Sequence, residues 1–101
     1  MRIISRRTLV QFAAREPTDD EPLRYWHRVT RKSKWRTFAE VRTTFRATDL
    51  VKAAGGTVLV FDIGGNKFRI VTHVSYQKGK VYILRIMTHK EYDKDTWKDQ
   101  L

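Results

Sequence analysis

Apolar positions recur at helical spacing through the first half of the chain, and alternate or run together as in strands through the second. Arg2 to Ile4 reads as a short strand. Ser5 then caps a helix whose Leu9, Phe12 and Ala13 share a face, and Pro17 with the acidic run after it ends that helix. Asp20 caps a second helix from about Glu21, with Pro22 tolerated in its first turn. Its apolar stripe is Leu23, Trp26 and Val29, with Tyr25 or Thr30 beside them. Arg24, Arg28, Arg31 and Lys32 lie at i, i+4, i+7 and i+8 on the opposite face. Thr37 to Glu40, "TFAE", has capping-box spacing and opens a short third helix through Val41 and Phe45. After Gly55-Gly56 the pattern changes. Thr57–Ile63, Lys67–Tyr76 and Val81–Thr88 are rich in β-branched and aromatic residues and are separated by "GGN" and "QKGK".

This order predicts an α+β fold, with N-terminal helices packed on one face of a small antiparallel sheet. The 101 residues are expected to form a single domain, residues 1–101, with no repeat, linker or low-complexity segment. Alternation along the strand from Lys67 puts Phe68, Ile70, Thr72 and Val74 on the helix side. Lys67, Arg69, Val71 and His73 fall on the other face, which is expected to be open.

Charge sharpens the picture. There are 21 Lys and Arg against 11 Asp and Glu, a formal net charge of +10. A domain this basic repels itself unless it has an anionic partner, for which nucleic acid is the usual candidate. The cations are also segregated. Residues 24–46 carry Arg24, Arg28, Arg31, Lys32, Lys34, Arg36, Arg42 and Arg46 against the single acid Glu40, whereas residues 16–21 carry four acids and no base. Evenly spread solubilising charge would not segregate so, and a directional binding face would. The absence of cysteine excludes disulfides and thiolate metal sites. No apolar run approaches the roughly 18 residues of a membrane span. The basic N-terminus lacks the apolar core of a secretory signal, so the expectation is a soluble, cytoplasmic protein.

Candidate chemistry collects in two stretches, "FDIGGNKFRIVTHV" at 61–74 and "RIMTHKEYDK" at 85–94. Lys67 and Arg69 read either as solvated strand residues or as cations held on rigid backbone to meet a phosphate and the charge that develops on it. His89 and Tyr92 read alone as a surface histidine and a packing tyrosine. Beside Lys and Arg they suit proton transfer on a phosphodiester. His27 and His73 have no such company. Glu91, Asp93 and Asp95 alternate with Lys90 and Lys94 in no metal-binding spacing, "GGN" lacks a nucleotide-loop pattern, and no nucleophile triad is visible, so neither metal nor cofactor is expected.

"MRIISRRTL" at the start, "DEPLRYWHR" at 20–28, "FDIGGNKFRIV" at 61–71 and "THKEYDK" at 88–94 together resemble the HigB-type toxins of bacterial type II toxin–antitoxin pairs, in the wider RelE-like group. The resemblance runs nearly end to end. It implies a compact RelE-like fold and an mRNA interferase, an endoribonuclease that cuts mRNA, in many members on the translating ribosome. It implies metal-independent chemistry in which the ribose 2′-hydroxyl attacks the adjacent phosphate. It further implies silencing by a cognate antitoxin of the DNA-binding HigA type.

Residue by residue, Lys67 and Arg69 match the basic strand positions after the glycine turn, and His89 and Tyr92 match the C-terminal His/Tyr stretch. The expectation is Arg69 as transition-state stabiliser, Lys67 as phosphate anchor, and His89 or Tyr92 in proton transfer, with acid and base left unassigned between them. RNA contacts are expected from Arg28, Lys32, Lys34, Arg36, Asn66, Lys90 and Lys94. Two other classes compete. A non-catalytic RNA- or ribosome-binding module would need only the basic helix. A helix-turn-helix DNA binder fails on "EPTDDEP", too long and too acidic for the turn between its helices.

Overall fold

The computed structural model describes residues 1–4, 21–65 and 67–100, with Gln100 as backbone only. The helix expected from Ser5, its Asp20 neighbour and Asn66 lie outside the described residues.

The described elements are β1 (Arg2–Ile4), α1 (Glu21–Lys32), α2 (Phe38–Thr44), β2 (Thr48–Ala53), β3 (Gly56–Ile63), β4 (Phe68–Ser75), β5 (Lys80–Thr88), α3 (His89–Asp93) and a final 3₁₀ turn (Thr96–Gln100). The five strands form one sheet in the order β1-β5-β4-β3-β2. The class is α+β, as the patterning predicts. Besides α3 and the final 3₁₀ turn, which the sequence reading did not anticipate, two elements differ from expectation. β2 pairs antiparallel with β3 and extends the meander to four strands, and β1 joins the opposite edge parallel to β5.

α1 forms because Trp26 and Thr30 recur at i, i+4 and are both buried, while Arg24, Arg28, Arg31 and Lys32 stay exposed. Thr30, not Tyr25, completes the apolar stripe; Tyr25 is 53% exposed. α2 is capped by Thr37, whose hydroxyl accepts from the Glu40 amide. Glu40 reaches back one residue further than a capping box requires, accepting from the Arg36 amide at 2.6 Å. Trp26 of α1 and Val41 of α2 join Leu59, Phe61, Ile63, Phe68, Ile70, Val74, Val81, Ile83 and Ile86 in the main core. Trp26 meets Phe61 edge to face at 5.3 Å.

The other face of the sheet is not open. Val58, Val60, Val71 and Met87 are buried there against Trp97, with Tyr92 packed alongside. Val71, expected on an exposed face, is therefore a core residue. The chain beyond β5 folds back over this side of the sheet and makes a second, smaller core. A β-bulge between Val71 and Thr72 helps to build it. Thr72 pairs with Ile83 and Val71 with Arg85, so Leu84 is the extra residue and packs on the second core.

Candidate active site

The hairpin between β3 and β4 sets the first half of the site. Ile63 pairs with Phe68 and Asp62 with Arg69. The four residues between need a sharp reversal, which Gly64 and Gly65 supply at φ +68° and +61°. Gly64 has a second reason to lack a side chain: a Cβ there would stand 3.2 Å from both Lys67 Cβ and Pro22 Cγ. The register then places Asp62 and Arg69 side by side on the face of the second core. Arg69 Nη1 donates to Asp62 Oδ1 at 2.9 Å, with the arginine side chain only 12% exposed.

The second half comes from the end of β5. Thr88 caps α3 with a complete capping box: its hydroxyl accepts from the Glu91 amide, and the Glu91 carboxylate accepts from the Thr88 amide. The "THKE" spacing that specifies it matches that of "TFAE", a signal that the sequence reading did not use. The cap fixes His89 at the first position of α3, and the pairing of Phe68 with Thr88 brings that position beside Arg69. Arg69 Nη2 lies 3.1 Å from His89 Nδ1. His89 Nε2 lies 3.2 Å from Asp93 Oδ2, one turn along α3.

Tyr92 completes the group. The Arg69 guanidinium stands over its ring at 5.3 Å, and the Trp97 indole stacks on it at 5.2 Å. The stack depends on an abrupt helix stop. Asp95 takes the left-handed conformation at φ +59°, one that aspartate tolerates better than most residues. Trp97 thereby returns beneath the helix, and its Nε1 donates to the Tyr92 carbonyl at 3.0 Å. Burial pushes the Tyr92 phenol above its ordinary value of 10.0. Arg69 opposes the shift, while Asp49, Asp95 and Asp93 add to it. At neutral pH Tyr92 is protonated.

Of the expected catalytic residues, Arg69, His89 and Tyr92 thus form one contiguous group. Lys67 is placed differently from expectation: β4 begins at Phe68, so Lys67 belongs to the turn. Its Nζ lies 5.2 Å from the centre of the Phe68 ring, which faces the main core. Lys90 and Lys94 are exposed on α3 and at its C-cap. Sequence reading missed Asp62 and Asp93. The signal for Asp62 was the four-residue loop, which pairs it with Arg69; the signal for Asp93 was its i+4 spacing from His89.

The basic segment lies elsewhere. Arg28 and Lys32 are exposed on α1, whose buried stripe packs on the main core, the opposite side of the sheet from Arg69. Lys34 and Arg36 line a cleft of about 1100 Å³ with Arg2, Arg31 and Lys78, and among the described residues none of its lining is acidic. The cleft opens at the β4–β5 turn, the far end of these strands from Arg69 and His89. His27 lines it too, and burial lowers that imidazole, with Arg31 adding to the effect. Among the described residues no group of three His, Cys, Asp or Glu is placed to hold a metal ion. No described helix is long and apolar enough to cross a membrane.

Comparison with known proteins adds a second line of evidence. Residues 19–95 match the sequence model of HigB_toxin, described as the RelE-like toxic component of a toxin-antitoxin system. The chain is 31% identical over 96 residues to the mRNA interferase HigB of Escherichia coli O6:H1, covering 95% of this chain and 92% of that one. A shorter stretch of 34 residues, 34% of this chain and 33% of the other, is 53% identical to the mRNA interferase toxin HigB of Escherichia coli K12.

Proposed function

Since the chain belongs to the HigB-toxin family, the RelE-like toxic components of toxin–antitoxin systems, we propose that it is an mRNA interferase whose active site is the Arg69–His89–Tyr92 group. We read the 101 residues as one toxin domain with a RelE-like fold, acting in the cytoplasm and held silent by a DNA-binding antitoxin of the HigA type. The observation that carries the reading is the 3.1 Å contact between Arg69 Nη2 and His89 Nδ1. It joins two stretches distant in sequence, the start of the central strand β4 and the first turn of α3, on rigid backbone.

The chemistry follows from these groups. The ribose 2′-oxygen attacks the adjacent phosphorus as its proton passes to His89. The phosphorane carries extra negative charge, which the Arg69 fork meets in bidentate fashion. The bond from phosphorus to the 5′-oxygen breaks, and that oxygen takes a proton from Tyr92, whose raised pKa keeps it protonated beforehand. The products are a 2′,3′-cyclic phosphate and a 5′-hydroxyl. We assign the flanking phosphates to Lys67, Asn66, Lys90 and Lys94. Arg28, Lys32, Lys34 and Arg36 bind RNA away from the cut, as on a ribosome.

The exposed basic face of α1 also fits a binding module without catalysis, and one assay separates the two. Purified protein is incubated with naked mRNA in EDTA and with mRNA-programmed ribosomes in magnesium buffer, and the product ends are identified. Cyclic phosphate ends that vanish in His89→Ala support the interferase. Products ending in 3′-hydroxyl, or intact RNA on both substrates under tight binding, refute it.

A further inference from the structure

We propose that Asp93 is a positioning residue: it holds His89 with the proton on Nε2 and turns Nδ1 toward the reacting atoms. The proposal rests on the reading of Arg69 and His89 as catalytic. It starts from a chain of four side chains across three elements, Asp62 on β3, Arg69 on β4, and His89 and Asp93 on α3. An arginine guanidinium has donors only, so the His89 Nδ1 that it meets at 3.1 Å must accept. In the neutral ring the proton is then on Nε2, and there it faces the Asp93 carboxylate at 3.2 Å. The two contacts select the same tautomer from opposite sides of the ring. Asp62, in cross-strand register with Arg69, holds the arginine end of the chain at 2.9 Å.

This assigns different work to the two nitrogens. Nε2 is the anchored one. Nδ1 is the reactive one: when a scissile phosphate draws the Arg69 fork, Nδ1 gives up its arginine contact beside that phosphate and accepts the 2′-hydroxyl proton. The imidazolium so formed keeps its Nε2–H on Asp93, which offsets the new charge. Without Asp93 the ring is free to rotate or to change tautomer, and the proton on Nδ1 would block the base.

The test combines long-range ¹H–¹⁵N spectra of the unliganded protein with turnover on programmed ribosomes, for wild type, Asp93→Asn and Asp93→Glu. The His89 ring signals are identified by their loss in His89→Ala. The wild-type ring is expected as the Nε2–H tautomer, and Asp93→Asn should mix the tautomers. The same variant should lower kcat about ten- to a hundred-fold with KM within about twofold, less than loss of the base itself. Asp93→Glu should recover part of the rate. Asp93 is 60% exposed, so the melting temperature should barely move. An Nδ1–H ring in the wild type, or a wild-type kcat in Asp93→Asn, overturns the proposal. The spectra decide even for a protein that cuts no RNA, an outcome that would sink the functional reading alone.

Discussion

Trp97 offers the most direct test of how the site is held together. Its indole is buried between the sheet and Tyr92, in contact with the cluster of Val58, Val60, Val71 and Met87. Replacing a buried tryptophan with alanine costs about 3–5 kcal/mol in lost transfer energy and cavity. Trp97→Phe keeps most of the packing and removes the hydrogen bond to the Tyr92 carbonyl. That carbonyl still accepts from the amides of Lys94 and Asp95, so the bond contributes only about 0.5–1 kcal/mol. With some lost volume the phenylalanine variant should lose about 1–2 kcal/mol. A domain near 100 residues shifts its Tm by about 4–8 °C per kcal/mol. Trp97→Phe should therefore melt about 4–16 °C lower, and Trp97→Ala about 12–40 °C lower. Chemical denaturation followed by circular dichroism gives both free energies. RNA cleavage, measured well below each Tm, should fall in the alanine variant, because Tyr92 loses its stacked support. It should persist in the phenylalanine variant. An alanine variant that loses under 1 kcal/mol and cuts at full rate would show that the C-terminal segment does not brace Tyr92.

The other predictions concern chemistry, RNA binding and alkaline stability. Arg69→Ala should slow cleavage about a hundred- to a thousand-fold in single-turnover assays, and Lys should rescue little, because a point charge cannot reproduce the fork. A fully active Arg69→Lys would remove the bidentate role. His89→Ala and Tyr92→Phe should each cost on the order of 10² to 10⁴ in rate if they move protons; a folded double variant with normal activity would clear both. Charge reversal of Arg28 and Lys32 should weaken RNA of any sequence. With about four phosphate contacts the wild-type slope of log K against log salt is about −3, at ~0.7 per contact on single strands, and the double variant should flatten it; an unchanged slope places the RNA elsewhere. The Tyr92 phenol is raised above its ordinary 10.0, so the folded state holds this proton more tightly than the unfolded state. Its contribution to stability is complete below pH 10 and is lost as pH rises toward the folded-state value. Urea titrations should show that loss, and Tyr92→Phe should reduce it while leaving the part due to Tyr76, also raised by burial.

The sequence carried the helices at Glu21–Lys32 and Phe38–Thr44 and the Gly64–Gly65 hairpin well, because each rests on local patterns: caps, glycine turns and spacing. It carried β2 poorly. Thr48 is its only buried residue and Leu50 is 51% exposed, so an edge strand with little to hide leaves almost no periodic trace. The second core was legible but easily passed over. Val58 to Phe61 is a continuous apolar run, the signature of a strand covered on both faces rather than one. The three-residue spacing of Ile83 and Ile86, both in the main core, likewise marks the bulge. Lys67 was misplaced because alternation alone does not show where the turn ends and the ladder begins. Asp62 and Asp93 escaped because a carboxylate beside a cation reads locally as solvated charge, and only register or helix pitch shows that it holds a particular atom.

The separation of the two cationic regions sets a minimum for what the protein can grip in full. Phe68 and Ser75 bound an eight-residue strand, about 23 Å long at ~3.3 Å per residue. The cleft lined by Arg2, Arg31, Lys34, Arg36 and Lys78 lies beyond one end of that strand, and Arg69 sits near the other. On the proposed reading, in which RNA meets both regions, a short oligonucleotide should engage one or the other and gain none of the effective concentration that joins two weak contacts into a strong one. Long or folded RNA should reach both. Activity on a small synthetic substrate should therefore understate what the molecule does to a long transcript, and the shortfall would measure the contribution of the distant cations.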